Sequence, residues 1–306
     1  MAASLGYLGV VAVRQASSFP PVVWSSRAVA ALAGALGLHL LMVLTGATAW
    51  SLLLRSIGTR APFLTVLAIW GRAQAGKYLP GNVGQYLGRA ALAWQHGIPL
   101  HQSALTVVFE TTGLIVTAAA CVFLAGAAAS SALLGKIALL AAAAVAAPFL
   151  LVHVLERWFP GTLRRRLGVA RLPRPSVAAL AGCLAMYAVG FAGWALSFEL
   201  LARGLFGAGS EISWPRVVPA FALSWVAGFV APGAPAGLGV REAFLVGGTA
   251  PFYGPGTALS AALALRLVTV LGDGLAFLLG WGLHARLRVT DGREAEPPLR
   301  RSPGRR

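Results

Sequence analysis

Long apolar runs separated by short polar breaks make up most of this chain, and within each run the apolar residues are continuous rather than alternating with polar ones. Residues 28–54, 103–128, 133–154, 175–205 and 256–285 each read as a helix that crosses a membrane. At about 1.5 Å per residue they span a hydrocarbon core of roughly 30 Å. A transmembrane barrel would show alternation instead. The predicted fold is therefore an all-α integral membrane protein, a polytopic helical bundle.

Two regions break the pattern. Residues 61–100 hold the short apolar pieces Pro62–Trp70 and Leu87–Trp94 on either side of GKYLPGNVGQYLGR. Residues 213–250 hold Val217–Val230 and Ala243–Ala250 on either side of APGAPAGLGVRE. Each piece is short for a full crossing. Two short pieces around a Pro-Gly break predict a re-entrant hairpin that enters and leaves on one side, with the breaks at Pro80 and Gly81 and at Pro232, Gly233, Pro235, Gly237 and Gly239.

Three long spans separate the two broken regions, so the second hairpin enters from the opposite face. Pro80-Gly81 precedes Arg89 by nine residues, and Pro232 precedes Arg241 by nine. A shared element on opposite faces predicts an inverted repeat, and paired Gly/Pro-interrupted segments point to a transporter's binding site. The dipeptide is also an ordinary turn signal. Composition alone fits an interfacial loop with snorkelling Lys and Arg slightly better than it fits a hairpin.

Composition agrees with the pattern: 58% of residues are hydrophobic and 11% charged, against about a quarter charged in soluble domains. The formal charge of +16, from 25 basic and 9 acidic residues, would suggest a nucleic-acid partner in a soluble protein. Here the basic residues lie between apolar runs, as the positive-inside rule expects, and no nucleic acid is implied. One face, made of residues 55–102, 155–174 and the C-terminal tail, carries 18 of the 25 basic residues. That face is expected to be cytoplasmic, which puts the C-terminus inside a multi-pass protein of the cytoplasmic membrane. Residues 1–27 read as an interfacial or truncated first helix: Leu5–Val13 is apolar, but no basic region precedes it as in a signal peptide. Residues 28–286 form the membrane domain and 287–306 a disordered basic tail. Cys121 and Cys183 both lie inside apolar runs and read as packing residues.

The chemistry concentrates in the breaks. Broken backbone at membrane depth is tolerated only beside protein or a water-filled cavity. Helix starts freed by glycine attract anions, and Lys77, Arg89 and Arg241 add full charges beside them. Tyr78, Asn82, Gln85 and Glu242 belong to the same candidate site, whose natural ligand is a phosphate. Glu110 and Arg266 fall well inside the expected hydrocarbon, at about 2.5–3.5 kcal/mol per charge near the centre. Their similar depths predict that they pair with each other. Asp273, seven residues after Arg266, falls on nearly the same helix face. His39 reads as a hydrogen-bonded core residue, and Glu199 as a weaker candidate near a helix end. No nucleophile with a neighbouring base, metal-ligand spacing or cofactor fingerprint is present in the sequence, so neither an enzyme nor a cofactor is expected.

KYLPGNVGQYLGR followed by a helix carrying Phe109-Glu110, and APGAPAGLGVREA followed by a helix carrying Leu265-Arg266-Leu267, together resemble the flippase-like, lysylphosphatidylglycerol synthase transmembrane region family over residues 28–286. In the multiple peptide resistance factors, a similar domain moves aminoacylated phosphatidylglycerol to the outer leaflet, and a separate part makes that lipid. The resemblance implies a transporter that moves an anionic or phosphate-containing lipid or glycolipid across the membrane. It does not extend to the aminoacyltransferase activity, because only a short charged segment follows residue 286. The alternative is a non-transporting membrane partner of a cytoplasmic lipid-modifying enzyme, docked on the basic segments at 164–174 and 286–306.

Overall fold

The computed structural model describes residues 20–22, 24–79, 83–127, 146, 149–150, 152–154, 157, 173–209, 214–231 and 234–294. Most of the expected span 133–154 lies outside them, as do Pro80, Gly81, Asn82, Pro232, Gly233, residues 1–19 and 23, and 295–306. Every regular element among the described residues is helical. In chain order they are α1 (Ser26–Ser56), α2 (Phe63–Ala73), α3 (Gly84–Gln95), α4 (Leu100–Ala127), α5 (Val177–Phe206), α6 (Trp214–Val230), α7 (Val240–Tyr253) and α8 (Pro255–Glu294). Short 3-10 turns, Gln74–Tyr78 and Pro235–Gly237, follow α2 and precede α7.

Four of these helices, α1, α4, α5 and α8, are apolar over 26–33 residues. They reach roughly 40–50 Å at 1.5 Å per residue, enough to cross with tilt. The chain is thus a polytopic helical membrane protein. Serine caps set two of the starts: the Ser25 and Ser176 hydroxyls accept the N–H groups of Ala28 and Ala179. Large apolar side chains such as Leu41, Leu44, Leu271, Leu278 and Trp281 face outward, as a lipid solvent requires. Inside, small residues let backbones approach. Gly204 of α5 lies against Ala31 of α1, and a Cβ on Gly193 would stand 2.9 Å from the Met42 sulfur. A Cβ on Gly280 of α8 would lie 2.8 Å from the backbone nitrogen of Arg72, next to α2.

The short helices occupy the two broken regions. Helices α2, α3, α6 and α7 have 11, 12, 17 and 14 residues, roughly 16–26 Å each and too short to cross. The first hairpin closes through glycine rather than merely turning on it. A Cβ on Gly76 would lie 2.6 Å from the Gly84 carbonyl oxygen, and Gly84 is equally tight against Gly76. The second uses the same device: a Cβ on Gly237 would lie 2.9 Å from the Gly228 Cα. Gly76 and Gly228 each precede their Pro-Gly break by four residues, a further point of likeness between the halves.

This contact predicts an asymmetry between two glycines of α3. Gly84→Ala lowers stability by about 1–3 kcal/mol through overpacking. Gly88→Ala, where an added Cβ meets nothing within 4 Å, is neutral or stabilising, because alanine is the better helix former. Unfolding by SDS titration distinguishes the two, and equal effects would refute the close approach.

One boundary differs from expectation. Helix α8 continues to Glu294, whereas the composition predicts disorder from residue 287. Ala285, Arg286, Leu287 and Arg288 are good helix formers, and a helix already nucleated in the membrane extends cheaply, one bond per residue.

Candidate functional site

The hairpins meet at their turns. The 3-10 turn Gln74–Tyr78 packs on Pro235–Gly237, and Tyr86 of α3 meets Phe229 of α6 edge to face at 6.4 Å. Beside this junction is a cavity of about 230 Å³, walled by both hairpins and by α1, α4, α5 and α8. Of the ten polar and charged residues the sequence singles out for the site, nine line this cavity. The tenth, Asn82, lies outside the described residues.

The charges fall into three groups. In the first, Asp273 of α8 is buried and accepts from three sides: Lys77 Nζ at 3.0 Å and Tyr78 Oη at 2.9 Å from the first turn, with His39 Nε2 of α1 at 3.1 Å. Gly272 leaves room for the imidazole, since a Cβ there would overlap it. Asp273 thus ties the turn of the first hairpin to α1 and α8.

In the second, Arg89 of α3 pairs with Glu110 of α4 at 2.6 Å, with both side chains buried. The guanidinium is also boxed by rings, 4.9 Å from the Trp50 centroid, 4.6 Å from Trp70 and 5.5 Å from Tyr86. Cation–π attraction of about 2 kcal/mol or more for a desolvated contact explains how a charge counted as a loop residue sits at depth.

In the third, Arg266 of α8 lies 3.6 Å from Glu242 of α7 and donates at 3.1 Å to the Ala236 carbonyl. The other Glu242 oxygen accepts the Gly239 N–H at 2.7 Å and so caps α7. Ala236 presents its carbonyl from a left-handed conformation, φ 52°. This is uncommon for a residue with a Cβ, and it is held here inside a buried turn.

The expected pairing of Glu110 with Arg266 is therefore incorrect. Each pairs instead with the return helix of its own hairpin, Glu110 with Arg89 and Arg266 with Glu242. Depth along a helix axis gives the level of a charge but not its direction around the axis, and the hairpins supply nearer partners. The outcome is a matched arrangement in both halves: one ion pair joins the return helix to the next long helix, with acid and base exchanged.

Arg241 is the exception. It is half-buried, its Nε has no hydrogen-bond partner, and no carboxylate stands within ion-pair distance of it among the described residues. Its stem passes Gly228 and Gly237, where any Cβ would collide with it, and the guanidinium lies 6.0 Å from the Trp225 ring centroid. The glycines of the second hairpin therefore make room for an arginine.

Other expectations resolve simply. His39 is a hydrogen-bonded core residue, 2% exposed. Glu199 bonds Arg203 and Tyr253 and does not line the cavity. Among the described residues, no three His, Cys, Asp or Glu side chains converge as a metal site. The aromatic box around Arg89 and the Ala236 carbonyl have no sequence signal beyond tryptophan in an apolar run and proline-alanine-glycine in a break.

Four membrane-length helices and two pairs of shorter helices around a buried charged cavity define a polytopic helical membrane protein. The family described as the lysylphosphatidylglycerol synthase TM region matches residues 1–276, and the chain belongs to that family. The match begins at residue 1, ahead of the resemblance read from the motifs. No curated protein matches the chain.

Proposed function

We propose that this protein is a flippase-type lipid transporter, not an enzyme, that moves an anionic or phosphate-containing lipid or glycolipid between the leaflets of the cytoplasmic membrane. The C-terminus and the strongly basic loops would lie on the cytoplasmic side. The observation that carries the reading is the unmatched Arg241 inside a cavity walled by both hairpin turns. A headgroup phosphate enters this cavity and takes the bidentate donors that Arg241 offers.

Tails would remain in lipid. An apolar crevice of about 180 Å³ between α1, α2 and α8, lined by Leu40, Leu44, Leu67 and Leu279, shares Val43 with the polar cavity. The Lys77–Asp273 and Arg266–Glu242 contacts hold the two turns to α8. A phosphate that draws Lys77 or Arg266 toward itself weakens one of these ties. That difference in contacts is the differential affinity required to shift between inward- and outward-open forms.

Leaflet exchange in proteoliposomes tests the reading. Arg241→Ala slows exchange of an anionic lipid at least about tenfold, as expected for loss of a charge-assisted contact worth about 1.5–3 kcal/mol. Wild-type exchange by the folded variant would remove Arg241 from the pathway. The family description, a transmembrane region of a synthase, favours a second reading, a non-transporting partner of a lipid-modifying enzyme. Co-purification of a stoichiometric enzyme, without lipid movement by the isolated chain, would support it instead.

A further inference from the structure

One nitrogen of His39 is accounted for and the other is not. Nε2 lies 3.1 Å from Asp273 Oδ1, and an ionised carboxylate only accepts, so this nitrogen carries the hydrogen. In the neutral ring Nδ1 is then a bare acceptor. It is buried and has no hydrogen-bond partner among the described residues, on a residue that is 2% exposed and lines the cavity. A basic nitrogen so placed is a site for one proton, and histidine is the side chain that ordinarily changes charge between about pH 5 and 8.

The Asp273 oxygen that faces His39 also accepts from Lys77 Nζ, at 3.0 Å. While the ring is neutral, this oxygen serves one cation and one neutral donor. Once Nδ1 is protonated, two full positive charges share it and repel each other. Lys77 is the partner able to leave. Its side chain is 29% exposed and regains water, whereas the imidazole is fixed between Asp273 and the edge-on Trp194 ring at 5.0 Å. Its departure loosens the turn Gln74–Tyr78 from α8. The linkage is reciprocal: the released turn leaves Asp273 to His39 and binds the proton more tightly than the held turn does. The tie is therefore present at high pH and lost as pH falls.

The other groups around the cavity offer no equivalent place. Of the helices packed on α1, α2 and α5 present the Trp70 and Trp194 rings there, α4 presents Glu110, and α8 adds Arg266 to Asp273. Arg89 and Tyr86 of α3 and Arg241 and Glu242 of α7 complete the titratable lining. Glu110 Oε2 and Gln74 Oε1 are, like His39 Nδ1, buried acceptors without a hydrogen-bond partner. The first has the permanent guanidinium charge of Arg89 2.6 Å away, which competes with a proton there. The second is an amide oxygen, an acceptor of hydrogen bonds rather than of protons in this range.

We infer that His39 is a proton-binding site, and that its proton releases the first hairpin turn by displacing Lys77 from Asp273. Resting on the transport reading above, the proton is also the coupling ion, which shifts the turn between held and released forms.

A pH titration of the purified full-length protein tests this. The Trp194 ring stands against the imidazole, and an imidazolium quenches a neighbouring indole, so wild-type tryptophan emission shows a step between about pH 5 and 8. His39→Gln, which keeps a donor toward Asp273, abolishes the step, and Trp194→Phe removes most of it. Lys77→Met moves the step up by about one pH unit or more, because the competing cation is gone. Hydrogen-exchange protection at residues 74–79, corrected for the intrinsic pH dependence of exchange, falls about tenfold or more across the step in the wild type and stays level in His39→Gln. A step that survives His39→Gln places the proton on another group and overturns the site. Protection that does not change across the wild-type step overturns the coupling to the turn. If His39→Gln does not fold, Lys77→Met decides, and a step that it leaves unmoved overturns the proposal. Neither readout measures lipid movement. A step with pH-dependent protection but no leaflet exchange removes the transport reading alone, and exchange without the step removes this inference alone.

Discussion

Arg89→Ala destabilises the protein by about 3–5 kcal/mol, the cost of leaving one member of a buried ion pair without its partner. Glu110 is 5% exposed and its nearest cation is Arg89. Among the described residues no other cation forms an ion pair with it. The loss includes the contacts with Trp50, Trp70 and Tyr86, which pack on the guanidinium from α1, α2 and α3. Removing both charges is milder. Arg89→Met combined with Glu110→Gln regains most of the loss, because it leaves no uncompensated charge and roughly conserves volume. SDS-titration unfolding measures both variants. A change of under about 0.5 kcal/mol in Arg89→Ala, the range of an ordinary surface substitution, contradicts the buried pair.

Asp273→Ala frees the first hairpin turn. The carboxylate is 4% exposed and is the shared acceptor for Lys77, Tyr78 and His39, so its loss unties residues 74–79 from α1 and α8 together. Lys77 is 29% exposed at its side chain and regains water, which moderates the penalty. Tyr78 and His39 lose a hydrogen bond to a charged group, each worth about 1.5–3 kcal/mol. Hydrogen exchange at residues 74–79 therefore accelerates by about tenfold or more, since each 1.4 kcal/mol of lost local stability is a factor of ten. Exchange in α5, which does not bond Asp273, remains as in the wild type. Unchanged protection at 74–79 would mean that the turn is held by its packing against α3 and the second hairpin instead.

Four of the five expected membrane helices, and the short helices that flank both breaks, were legible because lipid imposes a simple rule. A polar, glycine-rich stretch inside a long apolar sequence must have protein or water beside it, so GKYLPGNVGQYLGR and APGAPAGLGVRE announce themselves. The expected limits of α1, α4, α5 and α8 lie within three residues of those observed, except that α8 runs on to Glu294. The candidate residues were legible for the same reason: charge at membrane depth is too costly to be incidental.

Pairing was not legible. Lys77 reaches Asp273 across 196 positions and His39 reaches it across 234. Nothing local in the sequence encodes either contact. Arg89 and Glu110 are only 21 positions apart, yet their pairing depends on α3 folding back against α4 at a particular rotation. The glycines were legible as breaks but not as contacts. Gly76 and Gly228 lie four residues before the Pro-Gly dipeptides, and their purpose is visible only once Gly84 and Gly237 stand against them.

The central claim is that both hairpins jointly enclose one headgroup site through which lipid changes leaflet. The measurement that tests it most directly is the rate at which phosphatidylglycerol exchanges between leaflets of vesicles containing only this protein. The account predicts exchange that rises in proportion to the amount of protein incorporated and that drops with the Arg241→Ala substitution. A rate equal to that of protein-free vesicles, from protein that is demonstrably folded, would contradict it.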